Sequence, residues 1–165
     1  MSTWPIKNSI MVTISIIAAM VLTILPLPQS AIWLRPEWVL LVVIYWTVNY
    51  PGQFGVVAAW FIGLLLDILT GTVLGEHALA VTVISYIVNK FSIWLRLLVM
   101  HQQMIVICLL VALYQVLIFW VQGLLNEAPT SLFYWSASLI SAIVWPWLYL
   151  LLKDCEQRFL SDLSI

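Results

Sequence analysis

Apolar residues run through this chain in six stretches, broken by short segments rich in proline, glycine and charge. A helix needs about 17–25 mostly apolar residues to cross a bilayer, and the stretches predict helices over residues 8–25, 36–50, 54–69, 77–89, 103–125 and 131–152. Pro26 and Pro28 stop the first. The second opens near Pro36, because proline suits a first helical turn and Glu37 suits its positive end, and it closes at Tyr50-Pro51-Gly52. At roughly 21 Å, from 1.5 Å per residue, this helix is short for a bilayer core of about 30 Å. It needs shielding by neighbours or an extension back through Ile32-Trp33-Leu34. The third is followed by the glycine-bounded connection Thr70-Gly71-Thr72-Val73-Leu74-Gly75-Glu76. Residues 90–102 put Phe91, Trp94, Leu95 and Leu98 on one side, with Lys90, Arg96 and His101 as polar exits. That pattern predicts a short interfacial helix between helices 4 and 5. A polar turn over 126–130 precedes the sixth helix, which is expected to bend before Pro146.

Within the third stretch, small residues recur every four positions at Gly55, Ala59 and Gly63, and the lane leads to Asp67, Gly71 and Gly75. Residues four apart on a helix lie nearly above one another, with a drift of about 40° per step. Small side chains let membrane helices approach closely, and a carboxylate among apolar residues is costly enough to need a partner. Asp67 has two readings. It is a station for a proton, cation or substrate, or it ties the 70–76 connection to a neighbouring helix through amides such as those of Thr70, Gly71 or Thr72. One carboxylate without an intramembrane Lys or Arg makes a poor relay, which favours the structural or partner-docking reading. Helix five carries Cys108, Gln115 and Gln122 at intervals of seven, a polar lane whose hydrogen-bonding partner lies either within this chain or in another protein. Helix six has a similar face of Ala137, Ser138, Ser141 and Ala142 ending at Trp145, read as internal packing.

Composition settles the class. Hydrophobic residues make up 64% of the 165 and charged residues 8%, with a mean hydropathy of +1.10, where a soluble domain carries roughly 25% charged residues. The expectation is an all-α integral membrane protein, one six-helix transmembrane bundle over 1–165 with a tail from 153. A net charge of −1 gives nucleic acid no basic patch to bind. Cys108 and Cys155 follow no spacing motif and read as unpaired, reduced thiols. The apolar run 10–25 is too long for a signal-peptide core and lacks small residues at its end, so it reads as a first spanning helix. With the N-terminus inside, Lys7, Lys90, Arg96, Lys153 and Arg158 face the cytoplasm and Arg35 alone faces out. The same topology turns Glu37, Glu76, Glu127 and the Asp67 end of helix three outward. Trp4, Trp33, Trp38, Tyr50, Trp94, Tyr134, Trp135 and Trp147 fall near expected helix ends, as interfacial belts require.

Catalysis finds little support. His77 and His101 fall at opposite faces of the membrane, and Ser138 and Ser141 have no histidine at their depth. No nucleophile elbow, zinc-binding histidine pair or phosphate-binding glycine loop occurs. No enzyme activity, metal or cofactor is expected. The surviving classes are a membrane scaffold subunit and a substrate-binding subunit of a transporter.

The run Arg35-Pro36-Glu37-Trp38-Val39-Leu40-Leu41, followed by Tyr45-Trp46, resembles the second-helix signature of the rod shape-determining MreD family. The spacing Gly63, Asp67, Gly71, Gly75 looks like that family's G-x-x-x-D-x-x-x-G-x-x-x-G segment, and Trp145-Pro146-Trp147 is similar to its proteobacterial members. The likeness covers essentially the whole chain. It implies an inner-membrane protein of a rod-shaped bacterium with no enzymatic activity and no cofactor, and the six crossings with their basic residues inside put both termini in the cytoplasm. Its implied partner is the bitopic protein MreC, within the elongation machinery that contains MreB, RodZ, a SEDS-type glycosyltransferase and a class B penicillin-binding protein. That machinery directs lateral peptidoglycan synthesis. The family is also similar in fold to the S components of energy-coupling-factor transporters, which keeps binding of a membrane lipid or small molecule in play. Carried over, Asp67, Gly71 and Gly75 are signature positions, and Arg35, Pro36 and Trp38 stand at the outer start of helix two. Gly55, Ala59 and Gly63 are the expected seat for a partner transmembrane helix.

Overall fold

The computed structural model describes residues 6–26, 35–52, 54–124 and 132–162. Trp4, Trp33, Glu127, the 126–130 turn and the 32–34 extension of helix two lie outside the described residues. The described chain forms α1 (Ile6–Ile24), α2 (Trp38–Asn49), α3 (Val56–Thr70), α4 (Glu76–Leu97), α5 (Met100–Leu124) and α6 (Ser136–Asp162), the last led in by a 3-10 turn over Leu132–Trp135. Three of them, α4, α5 and the Ser136–Arg158 part of α6, are long and apolar enough to cross a membrane.

The short helix α2 sits at the centre. Twelve residues span about 18 Å, and every residue from Val39 to Val48 is buried. It packs against α1, α4 and α6, while α4 in turn meets α3, α2 and α5. A helix apolar on all sides is stable only when other helices or lipid surround it, and here helices do. The periphery is apolar as well: Ile14 and Ile17 on α1, Ile68 on α3, Trp120 on α5 and Ile143 on α6 are all exposed. An apolar surface of that extent suits lipid rather than water.

The expected interfacial helix is not there. Residues 90–97 continue α4 without a break, and α5 starts at Met100. No glycine or proline falls between 77 and 99 to stop the helix, and the buried stripe Val81, Ile84, Val88, Ser92, Leu95 runs straight through. What ends α4 is a side chain from the next helix. Gln103 donates its amide to the carbonyls of Leu95 and Leu98 at 3.1 and 3.2 Å, satisfying acceptors that a helix C-terminus leaves open. At the other end of the chain α6 runs on to Asp162, so most of the expected tail is helical and Trp147 lies mid-helix. Tyr45 and Tyr50 on and after α2 both donate to the Glu156 carboxylate, which pins this extension to the bundle.

The small-residue lane turns inward. Ala59 is wholly buried, and a Cβ built on Gly63 would stand 2.3 Å from the Ala78 Cα. Gly63 therefore admits the backbone of α4, and the seat expected for a partner helix is filled from within the chain. Gly55 caps the far end of α3, and a Cβ built there would meet only the Val57 N, at 4.0 Å.

Gly63→Ala should lower stability by about 2 kcal/mol through overpacking against α4. Gly123→Ala, which meets nothing within 4 Å, should be neutral or mildly stabilising because alanine is the better helix former. Thermal unfolding of the detergent-solubilised protein compares the two. Equal midpoints would remove Gly63 as the contact that sets the α3–α4 distance.

Candidate functional site

The polar chemistry of the bundle gathers at the end where α3 turns into α4. Gly71, at φ +69°, adopts the left-handed conformation that closes α3, and its N–H bonds to the Asp67 carbonyl. Gly75, at φ +104°, opens α4. Both conformations favour glycine over any residue with a Cβ. Between them the chain doubles back over three residues, Thr72, Val73 and Leu74.

This turn places the Asp67 side chain, with no solvent exposure, under the first turn of α4. Its Oδ2 accepts from the Gly75 N–H at 2.8 Å and the Ala78 N–H at 3.4 Å. Its Oδ1 accepts from the His77 N–H at 2.8 Å and the Thr72 hydroxyl at 3.3 Å. His77 Nδ1 lies 2.9 Å from the same oxygen and 3.2 Å from the Thr72 hydroxyl. A helix N-terminus leaves its first N–H groups without partners and carries a partial positive charge. Asp67 meets both needs from the neighbouring helix, acting as a cap supplied from outside α4. The amides it holds are those of Gly75, His77 and Ala78, further along the connection than Thr70, Gly71 or Thr72.

Around this knot the other buried polar groups pair across helices. Gln122 on α5 donates to the Glu76 carboxylate at 2.6 Å. Gln115 donates its amide to the Tyr134 carbonyl at 2.7 Å, and the Tyr134 hydroxyl donates to the Gln115 carbonyl at 3.2 Å. The side-chain N–H₂ groups of both glutamines of the α5 lane thus find acceptors inside this chain, while Cys108 is a partly buried free thiol. On α6, the buried Ser141 hydroxyl accepts from the Glu37 N–H at 3.0 Å, holding the start of α2. Arg35 donates to the carbonyls of Leu25 and Leu22 at 2.6 and 3.3 Å, capping the end of α1.

The sequence-singled residues therefore divide. Asp67, Gly71 and Gly75 meet in one turn. Arg35 and Pro36 lie at the same end of the bundle but serve the α1–α2 junction, and Trp38 faces the groove between α1, α2 and α6. Gly55, Ala59 and Gly63 run away from the site down α3. His77, Tyr114 and Tyr134 were not singled out for this cluster. The signal for His77 was its place as second residue of the helix that follows a glycine turn, within reach of any carboxylate that caps that helix. Among the described residues no three His, Cys, Asp or Glu side chains are placed to hold a metal ion.

Asp67→Asn replaces one accepting oxygen with an N–H₂ facing backbone N–H groups, and should cost about 2 kcal/mol, the range for a lost charge-assisted bond and a stranded buried donor. The unfolding midpoint in detergent reads that loss. A variant with the parent midpoint would show that the carboxylate does not hold the hairpin.

The model of the rod shape-determining protein MreD family matches residues 6–155. The rod shape-determining protein MreD of Haemophilus influenzae is 32% identical over 145 residues, covering 86% of this chain and 88% of that protein. No solved structure matches. The chain belongs to the MreD family of rod shape-determining proteins.

Proposed function

We propose that this chain is the multi-pass inner-membrane subunit of the bacterial elongation machinery, pairing with MreC and helping to direct lateral peptidoglycan synthesis. The observation that carries the reading is the family match, which extends over 6–155 and takes in nearly the full length of a shape-determining relative. Two features of the fold support a scaffold role. Its buried polar side chains are largely engaged in joining one helix to the next, and its outer surface is apolar over much of its area. Such a surface can bind other membrane segments by shape, since lipid supplies no hydrophobic drive between helices.

In this reading all six helices cross, both termini are cytoplasmic, and the α3–α4 turn faces out. The placement of Lys90, Arg96, Lys153 and Arg158 toward the other end of the bundle supports it through the positive-inside rule. MreB, RodZ, the SEDS glycosyltransferase and its class B penicillin-binding protein are then partners at one remove. With α4 filling the small-residue lane, the seat for the MreC helix lies on another face.

Depleting the protein from a rod-shaped host should give rounded cells, and the parent chain supplied in trans should restore rods. A tagged chain purified in mild detergent should carry MreC, identified by mass spectrometry. Recovery of an ATPase with a stoichiometric small ligand in place of MreC would overturn the assignment in favour of an S-component-like transporter subunit.

A further inference from the structure

At the end of the bundle away from the Asp67 turn, where α2 finishes beside the last turns of α6, a cavity of about 310 Å³ opens. Tyr45 and Tyr50 from the α2 end and Tyr149 from α6 give it aromatic walls, with the Tyr45 and Tyr149 rings edge to face at 5.4 Å. Asn49 also lines it. Its Nδ2 donates to the Tyr45 carbonyl at 2.9 Å, which leaves the side-chain oxygen to accept. Two charged residues share the cavity, Lys153 and Glu156. The Glu156 carboxylate accepts the Tyr45 hydroxyl on Oε2 at 2.9 Å and the Tyr50 hydroxyl on Oε1. An ionised carboxylate has about four acceptor sites, so two remain. Lys153 pairs with no carboxylate among the described residues; its ammonium stands 5.9 Å from the Tyr149 ring centroid. Asp154 and Arg158, on the same turns of α6, bind each other at 2.9 Å and do not line the cavity. A carboxylate and an ammonium thus face one space without joining each other.

We infer that this cavity binds the phosphoethanolamine head group of a phospholipid, with the phosphate on Lys153 and the ammonium on Glu156. A lone anion would meet Glu156 and a lone cation would meet Lys153, whereas a zwitterion answers both. Lysine is a common point-charge partner for phosphate. A primary ammonium has three N–H donors, which match the open Glu156 sites and the Asn49 oxygen, and tyrosine faces attract a cation. A quaternary ammonium has no N–H and would gain the ring contacts alone. The depth fits a head group. Lys153 and Glu156 stand about 25–30 Å along α6 from Ser136, at 1.5 Å per residue, close to the thickness of a hydrocarbon core of about 30 Å. Glu156 is half-buried and Gln157 is exposed, while Leu150 and Leu151 on the turn before are exposed and apolar, as acyl chains require. A water-soluble phosphoethanolamine would bring the same charges without the chains.

The test uses the full chain in mild detergent, titrated with phosphatidylethanolamine, phosphatidylglycerol or phosphatidylcholine of equal short chain length, or with glycerophosphoethanolamine. Native mass spectrometry counts the bound molecule, and a thermal shift follows affinity. Phosphatidylethanolamine should bind at one per chain, ahead of the other two lipids. Lys153→Gln and Glu156→Gln should each weaken it by about tenfold to a hundredfold, the range for losing a hydrogen bond to a charged group. Glu156→Gln also disturbs the two tyrosine bonds. Lys153 is exposed, so the fold of Lys153→Gln, checked by circular dichroism, should be intact and its affinity readable. Glycerophosphoethanolamine binding as tightly as the lipid, with the same sensitivity to both variants, would support the site and name a water-soluble source. Phosphatidylglycerol or phosphatidylcholine binding as tightly as phosphatidylethanolamine, or affinity unchanged in Lys153→Gln, would overturn the site. That failure would leave the shape-determining role untouched, because the readout involves neither MreC nor cell form.

Discussion

One carboxylate makes the rest of this architecture possible. A helix that begins inside an apolar bundle presents N–H groups where no water can reach them, and each unsatisfied group costs several kcal/mol. Asp67, three residues before the end of α3, takes three of those N–H groups from the start of α4. It can do so only because the two helices nearly touch, and Gly63 is what lets them: any side chain there would meet the Ala78 backbone. Gly71 then ends one helix and Gly75 starts the next, both at positive φ. The four residues at spacing four thus describe a single hairpin. Each answers a separate steric or electrostatic demand of the same turn.

The same rule governs two other helix ends. Arg35 caps α1 from just before α2, and Gln103 caps α4 from α5. In mid-bundle Trp46 donates to Ser15 at 2.8 Å and Trp145 to Gln103 at 3.2 Å. Membrane helices gain no hydrophobic drive from meeting each other, so close packing and cross-helix bonds of this kind must hold them together. Neighbouring helices also resolve the shortness of α2. A helix of about 18 Å could not face lipid along a full crossing, but one buried on every side need not.

Much of this was legible in advance, and the misses have physical causes. Apolar run length located every helix, because the cost of leaving backbone groups unpaired in lipid dominates everything else. The lane of Gly55, Ala59 and Gly63 was readable as a close-packing face, yet the partner was misjudged. Spacing shows that a helix can come near, not which one, and the short turn made α4 the nearest candidate. The break at residue 90 was inferred from the amphipathic pattern of 90–102, with Lys90, Arg96 and His101 as polar exits, but charges mark depth without stopping a helix, and α4 ends only where Leu98 turns extended and Gln103 takes the open carbonyls. The polar lane on α5 was visible, but its partners depended on Tyr134 and Glu76, residues distant in sequence. Tyr114 was silent, because a tyrosine among apolar residues carries no mark of whether its hydroxyl is met.

The division of polar and apolar surface narrows what such a molecule can do. Reactive chemistry needs groups free to change partners, whereas Asp67 holds five donor atoms or ring positions at once and cannot release one without exposing an unpaired N–H. A tie of that kind contributes stiffness. In the proposed scaffold role stiffness is useful, since a subunit that transmits position between a partner in the membrane and machinery beyond it must hold its own helix spacing under load.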